Sequence, residues 1–229
     1  PIKLVSEELG CDVSYCRRIS KKISQKRISK ASRIMKRVAT KKLPRKFKIV
    51  MSKQLVGGIA GYGSELVYHT VSDLRVLRTA VCNGLGRSRA GNNPYLATLV
   101  TPGVNDLAPT LLLRKMIFWR RFFRIFPNQR DRFLQMLAEG THRMGATAFL
   151  RRTLLDHEWK CLNGGLIQHE RGWKVNWTSC SKFVLRKMLG FSWSAIVCQH
   201  AQHRKDFDIE GVDVLAFHAS LGSLKDRKS

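Results

Sequence analysis

The chain has 229 residues, 44% of them hydrophobic, and a net charge of +26 with a pI near 10.6. Such a composition can build a core, which excludes global disorder, and its cation excess calls for a polyanionic partner bound more weakly as salt rises. No apolar run approaches the ~20 residues needed to span a bilayer and no secretory signal pattern opens the chain. An intracellular, reducing location is therefore expected. Binding flat on anionic lipid is the rival use of this charge, but the apolar positions read as core and no second anchoring signal accompanies them. The cysteines, Cys11, Cys16, Cys82, Cys161, Cys180 and Cys198, include no Cys-x-x-Cys pair. They read as buried or free thiols rather than a disulfide framework or a four-thiolate zinc site.

In chain order, Pro1 stands where an initiator Met would be and leads into strand-like sequence, so the chain reads as a piece of a longer protein. Ile2 to Leu4 and Cys11 to Tyr15 read as short extended segments. Between Val13 and Ser64 there are sixteen Lys or Arg residues and no Asp or Glu. A run of this size repels itself unless a packed face or an anionic partner holds it. Ile19, Ile23, Ile28, Ala31, Met35 and Val38 recur at threes and fours, predicting a helix from Ser20 to Thr40 whose other faces are basic. Pro44 suits the first turn of a second helix, with Phe47, Val50, Met51, Leu55, Ile59 and Tyr62 expected on its buried side. Gly57, Gly58 and Gly61 cost that helix roughly 1 kcal/mol each relative to Ala, so close approach of another backbone is expected there.

Ser72 is expected to cap a third helix, with Val71 and Val76 as a hydrophobic staple and Leu74, Leu77 and Val81 facing inward. That helix should end near Gly84 or Gly86, before a polar loop from Arg87 to Asn93. The span from Asp106 to Phe126 predicts an aromatic helix buried on two sides, cut off by Pro127, which starts the next helix with Phe133, Leu134 and Leu137 inward. Ala146 to Asp156 predicts another helix. Trp159 to Leu162 and Leu166 to His169 read as a hairpin around Asn163-Gly164-Gly165, with Lys174 to Trp177 as a third strand. Ser179 or Ser181 should cap a long helix to Arg204, and a last helix is expected from Gly211 to Leu224.

Four short motifs then fall in a particular order. They are Glu8-Leu9-Gly10-Cys11-Asp12-Val13; the basic helix with Leu43-Pro44-Arg45-Lys46-Phe47-Lys48 after it; Gly61-Tyr62-Gly63-Ser64-Glu65; and Leu74 to Gly86, with Leu85-Gly86 at its end. This order resembles the C-terminal part of the reverse transcriptase of LINE-type, non-LTR retroelements, where the last palm strand gives way to the thumb. The resemblance implies a thumb that grips RNA or an RNA–DNA hybrid by phosphates and shape, without reading sequence. It also implies a partner in the remainder of a larger polymerase chain. The family's polymerase signature is aromatic-x-Asp-Asp, holding two divalent ions about 4 Å apart. No Asp-Asp pair occurs in this chain. Magnesium is implied only for the missing palm, no cofactor is expected in this chain, and the chain alone is expected not to polymerise.

The expected architecture is mainly α: residues 1–15 as the end of a palm-like strand segment, 16–90 as a basic thumb-like helical subdomain, 91–158 as a helical post-thumb region, and 159–229 as a small hairpin plus C-terminal helices. Candidate nucleic-acid-binding residues are Arg17, Arg18, Lys21, Lys22, Lys26, Arg27, Lys30, Arg33, Lys36, Arg37, Lys41 and Lys42, with Arg87 and Arg89 as a second group. A solvated helix face normally mixes charge signs for i,i+4 pairing, and this one carries no acid. A nuclear-localisation signal in Arg17 to Arg27 is compatible with that role, and a nuclear or cytoplasmic ribonucleoprotein is the expected setting. Phe118, Trp119, Phe122, Phe123 and Phe126 read as core rather than base-stacking groups. A split zinc site from His157, Cys161, Cys198, His200 and His203 would lack the paired spacing of a zinc finger. Asp206-x-Asp208-x-Glu210 starts like a calcium loop but has Phe217 where a bidentate Glu is required. The competing readings are a free-standing basic RNA-binding or ribonucleoprotein component, and a non-functional relic of a retroelement.

Overall fold

The computed structural model describes residues 5–8, 11–14, 22–86, 94, 95, 98, 104, 106–140 and 145–203. It is mainly helical with a small three-stranded antiparallel sheet, as the periodicity predicts. The extended segment at 2–4, the loop from 87 to 93 and the helix expected from 211 lie outside the described residues. A short hairpin opens the structure, β1 (Val5–Glu8) pairing antiparallel with β2 (Cys11–Ser14), Val5 opposite Ser14 and Glu8 opposite Cys11. The strand at Val5–Glu8 carries a single apolar residue, so no alternation announced it.

The long basic helix α1 (Lys22–Thr40) buries Ser24, Ile28, Ala31, Met35 and Val38 on one face. A short α2 (Arg45–Met51) follows, then one π-helical segment (Ser52–Val56) that passes into α3 (Gly57–Gly61). The extra residue per turn in the π segment rotates the face presented to the core. As a result α2 buries no residue, Phe47 is 63% exposed and Tyr62 is 59% exposed, while Ser52, Val56 and Ala60 take the buried positions. The single apolar face expected from Phe47 to Tyr62 is therefore broken in two. The glycines here also differ from expectation. A Cβ on Gly57 or Gly58 would meet nothing, and one on Gly61 would overlap the Arg114 guanidinium, a side chain rather than a backbone.

Helix α4 (Val71–Gly84) is capped by Thr70, not Ser72. Thr70 Oγ1 accepts from the Asp73 amide at 3.3 Å and Asp73 Oδ2 accepts from the Thr70 amide at 2.9 Å, a reciprocal capping box. With the cap two residues earlier, Val71 and Val76 leave the staple positions and stay exposed. Leu77 and Val81 pack against α1, and at Gly84 the helices come so close that a Cβ would overlap the Met35 methyl.

Asp106 caps α5 (Leu107–Ile125), accepting from the Ala108 amide at 2.9 Å. This helix is the centre of the molecule. Leu107 and Leu111 join the α1–α4 core, Ala108 joins a small cluster with Trp193, Ile196 and Val197, and Leu112, Met116, Trp119 and Phe123 enter the largest core. That largest core also takes side chains from α6 (Arg130–Glu139), reached through a 3-10 turn at Pro127–Gln129, from α7 (Ala146–Leu155), and from the sheet β3 (Trp159–Cys161), β4 (Leu166–His169) and β5 (Lys174–Asn176). The sheet order is β3-β4-β5, with Trp159 opposite His169 and Ile167 opposite Val175. Trp159 and Trp177 are fully buried, and Trp159 Nε1 donates to Ser192 Oγ at 3.0 Å. The long α8 (Lys182–His203) starts where Ser181 Oγ accepts from the Val184 amide at 3.1 Å. Trp119 and Phe123 pack against Phe133, the first tilted and the second edge-on, and lie in the core, as their helical spacing predicts, while Phe126 at the helix end is half exposed.

Candidate nucleic-acid interface

The buried residues of α1 recur at threes and fours, so its cations are forced to the opposite side. Lys26, Lys30, Arg33 and Arg37 follow one another at intervals of four, three and four and are all exposed, with Lys36 alongside and Lys41 and Lys42 exposed beyond the helix end. Among the described residues, none of these makes an ion pair, and the buried pair of Arg78 with Asp106 lies elsewhere. Arg27 behaves differently from its neighbours. It is half-buried, its guanidinium lies over the Tyr62 ring at 4.6 Å from the centroid, and it donates to the Tyr62 carbonyl at 2.6 Å, tying α1 to the end of α3. Lys22 lies in the first turn of α1. Arg17, Arg18, Lys21, Arg87 and Arg89 lie outside the described residues.

Arg45, Lys46 and Lys53 extend the exposed positive surface and were not among the candidates, although the same acid-free block contains them. Lys48 is half-buried and donates to the Ala39 carbonyl at 3.4 Å, a cation at the C-terminal end of α1. An open groove of about 320 Å³ runs between α1 and α4, lined by Gln25, Ile28, Ser29, Ser32, Arg33, Lys36 and Val76. Arg33 and Lys36 give it positive charge, and Ile28 and Val76 give it apolar surface among the neutral polar side chains. A phosphodiester strand has matching needs, charge neutralisation along the backbone and an apolar sugar face.

Behind this surface sits a buried polar layer that fixes α4 and α5 together. Arg78 holds Asp106 through two bonds, Nε to Oδ2 at 2.8 Å and Nη2 to Oδ1 at 2.9 Å, and its guanidinium lies over the rings of Tyr95 and Trp193 at 4.4 and 4.8 Å. Burial opposes the Asp106 charge, but the guanidinium beside it prevails and holds its carboxyl below the usual range. Lys115 is fully buried and donates to the Ser64 carbonyl at 2.5 Å and to the Val67 carbonyl. Burial draws it down to about 7, with the Glu65 charge acting in the opposite direction. Lys115 thereby holds the turn after α3 against α5.

Asp106 is bonded to Arg78 and Asp156 accepts from the Tyr68 hydroxyl at 2.8 Å, so these two carboxylates are committed to packing contacts. Among the described residues no group of three His, Cys, Asp or Glu is placed to hold a metal ion. His157 Nδ1 lies 2.7 Å from the Thr153 carbonyl and its ring packs on Trp193 at 4.8 Å, an interior role. Cys161, Cys180 and Cys198 are free thiols, and burial pushes Cys161 up to about 12, which makes it a poor nucleophile. Among the described residues no helix is long and apolar enough to cross a membrane. No protein-family model, curated protein or solved structure matches the chain.

Proposed function

We propose that the chain binds the template–primer nucleic acid of a retroelement-type RNA-directed DNA polymerase, as the thumb and post-thumb portion of that enzyme, and that the outer face of α1 with α2 carries the contact. The observation behind this reading is the stripe Lys26, Lys30, Arg33 and Arg37, exposed and unpaired among the described residues on a helix whose other side is core. Holding like charges together costs energy in the free protein, and phosphates relieve that repulsion. The LINE-type identity rests on the order of the sequence motifs, and the exposed surface supports the binding role it implies. The chain contributes grip, and the carboxylates for polymerisation belong to the palm.

The test is fluorescence anisotropy with a labelled RNA–DNA hybrid of about 20 base pairs, a length that covers the phosphate contacts counted by salt dependence. Affinity is expected to fall by orders of magnitude between low and physiological salt, and the quadruple variant Lys26→Glu, Lys30→Glu, Arg33→Glu, Arg37→Glu should abolish binding while melting like the parent. Salt-independent association, or an unaffected variant, sinks the proposal. Equal affinity for hybrid and for unstructured RNA would instead favour the free-standing RNA-binding protein.

A further inference from the structure

From Arg171 to Lys205 the chain carries seven Lys or Arg residues and again no Asp or Glu. This second acid-free run includes the start of α8, whose first turns bury Leu185 and leave Lys182, Phe183, Val184, Arg186 and Lys187 exposed. Phe183 is 66% exposed, and Lys187 Nζ lies 5.5 Å from its ring centroid. The core contacts of this part of α8 are made by Leu185, Met188 and Leu189, so packing does not account for an aromatic ring at position 183. Two guanidiniums from other helices approach the loop leading into α8. Arg130 of α6 donates to Thr178 Oγ1 at 3.4 Å, and Arg120 of α5 donates to the Trp177 carbonyl and to Cys180 Sγ, the latter at 3.1 Å.

We propose that the N-terminal face of α8 is a second nucleic-acid contact, one that takes an unpaired strand: Phe183 stacks on a base while Lys182, Arg186 and Lys187 neutralise the flanking phosphates. The site needs a strand with free base faces, because a base within a duplex is already stacked on its neighbours and cannot offer its ring to Phe183. Every base has such a face, so the contact tolerates any sequence. A lipid surface fits less well. An interfacial helix requires a broad apolar face, and here only Phe183 and Val184 are exposed, the next apolar residues Leu185, Met188 and Leu189 packing against the core. The inference stands independently of the α1 interface, since it rests on other residues and another strand state.

The test uses the full chain and a labelled oligouridylate of about fifteen nucleotides, within the range one such site covers, beside an RNA duplex of equal length. Phe183→Ala should weaken oligouridylate binding roughly fivefold to a hundredfold, with the duplex changed by less than about twofold, and Phe183→Trp should keep the single-strand affinity. Lys182→Glu with Arg186→Glu should lower single-strand affinity and flatten its salt dependence by about 0.7 units of slope per lost contact. Phe183 lies outside the core, so its variants are expected to melt with the parent. Unchanged oligouridylate binding in Phe183→Ala, or an equal loss for duplex and single strand, overturns the proposal. So does loss of binding to phosphatidylserine–phosphatidylcholine vesicles with oligouridylate affinity intact, which assigns the face to lipid.

Discussion

In α1 the cations Lys26, Lys30, Arg33 and Arg37 face solvent without an ion pair among the described residues, whereas in and after α5 three arginines, Arg114, Arg120 and Arg151, work as internal fasteners. Arg114 donates to the Gly57 carbonyl at 3.0 Å, Arg120 to the Trp177 carbonyl, and Arg151 to the Gly140 carbonyl at 3.5 Å. The difference follows from what each helix is packed against. Turns and helix ends beside α5 and α7 leave carbonyl acceptors that a forked guanidinium can reach, while the outer side of α1 faces none. Arg27 and Lys48 are the exceptions in the basic block, and each does find a carbonyl, at Tyr62 and Ala39. A high cation count therefore indicates a ligand only where internal acceptors are lacking.

That contrast can be broken by mutation, and the largest effect is expected where a cation is fully internal. Arg78→Met leaves the Asp106 carboxylate buried without its partner and should cost about 3–5 kcal/mol in urea unfolding, with nucleic-acid affinity unchanged in whatever fraction folds. Adding Asp106→Leu should restore part of that loss. A cost below about 1 kcal/mol would show that the pair is not the fastener described.

Acid should act on the same layer. Burial depresses His157 from 6.5 to about 4, so the unfolded chain takes up this proton first, and stability should fall as pH drops from 6.5 towards 4, by about 3 kcal/mol from this group. Asp106 acts in the same direction further down, since a carboxyl held low contributes stability that is lost when pH falls through its folded value. His157→Gln should flatten the pH 4–6.5 portion of the stability profile, and an unchanged slope there would remove His157 as its cause.

Smaller effects sharpen the comparison in the basic bundle. Thr70→Ala removes one side of the capping box and should cost ~1 kcal/mol, whereas Ser72→Ala should cost less than about half that. Phe47→Ser should leave melting nearly unchanged, because this residue is mostly exposed. If Phe47→Ser destabilised as much as Thr70→Ala, α2 would be packed rather than solvent-facing.

Several parts of this arrangement were legible in the residues alone. The inward stripe Ile28, Ala31, Met35 and Val38, the hairpin around Asn163-Gly164-Gly165 and the helix ended by Pro127 follow from period and turn chemistry, which act over a few residues. The cap of α4 was misplaced because Thr70 and Ser72 offer the same hydroxyl two positions apart, and Asp73 three residues after Thr70 was the signal that separates them. The π segment at Ser52–Val56 left no such signal. It shifts the buried face by one residue, and only packing against α1 and α5 selects it.

The candidate interface divides in the same way. Composition and spacing alone determined that the block from Val13 to Ser64 is basic, mostly helical and free of acid, because charge and 3.6-residue periodicity are properties of the chain itself. Tertiary structure decided which cations remain exposed. Arg27, Lys30 and Arg33 look alike in sequence, yet the Tyr62 carbonyl and ring engage Arg27 and no comparable acceptor approaches the other two. It likewise turned Phe183 outward and Phe123 inward, since a helix can bury only the face its neighbours cover, and those neighbours come from distant parts of the chain.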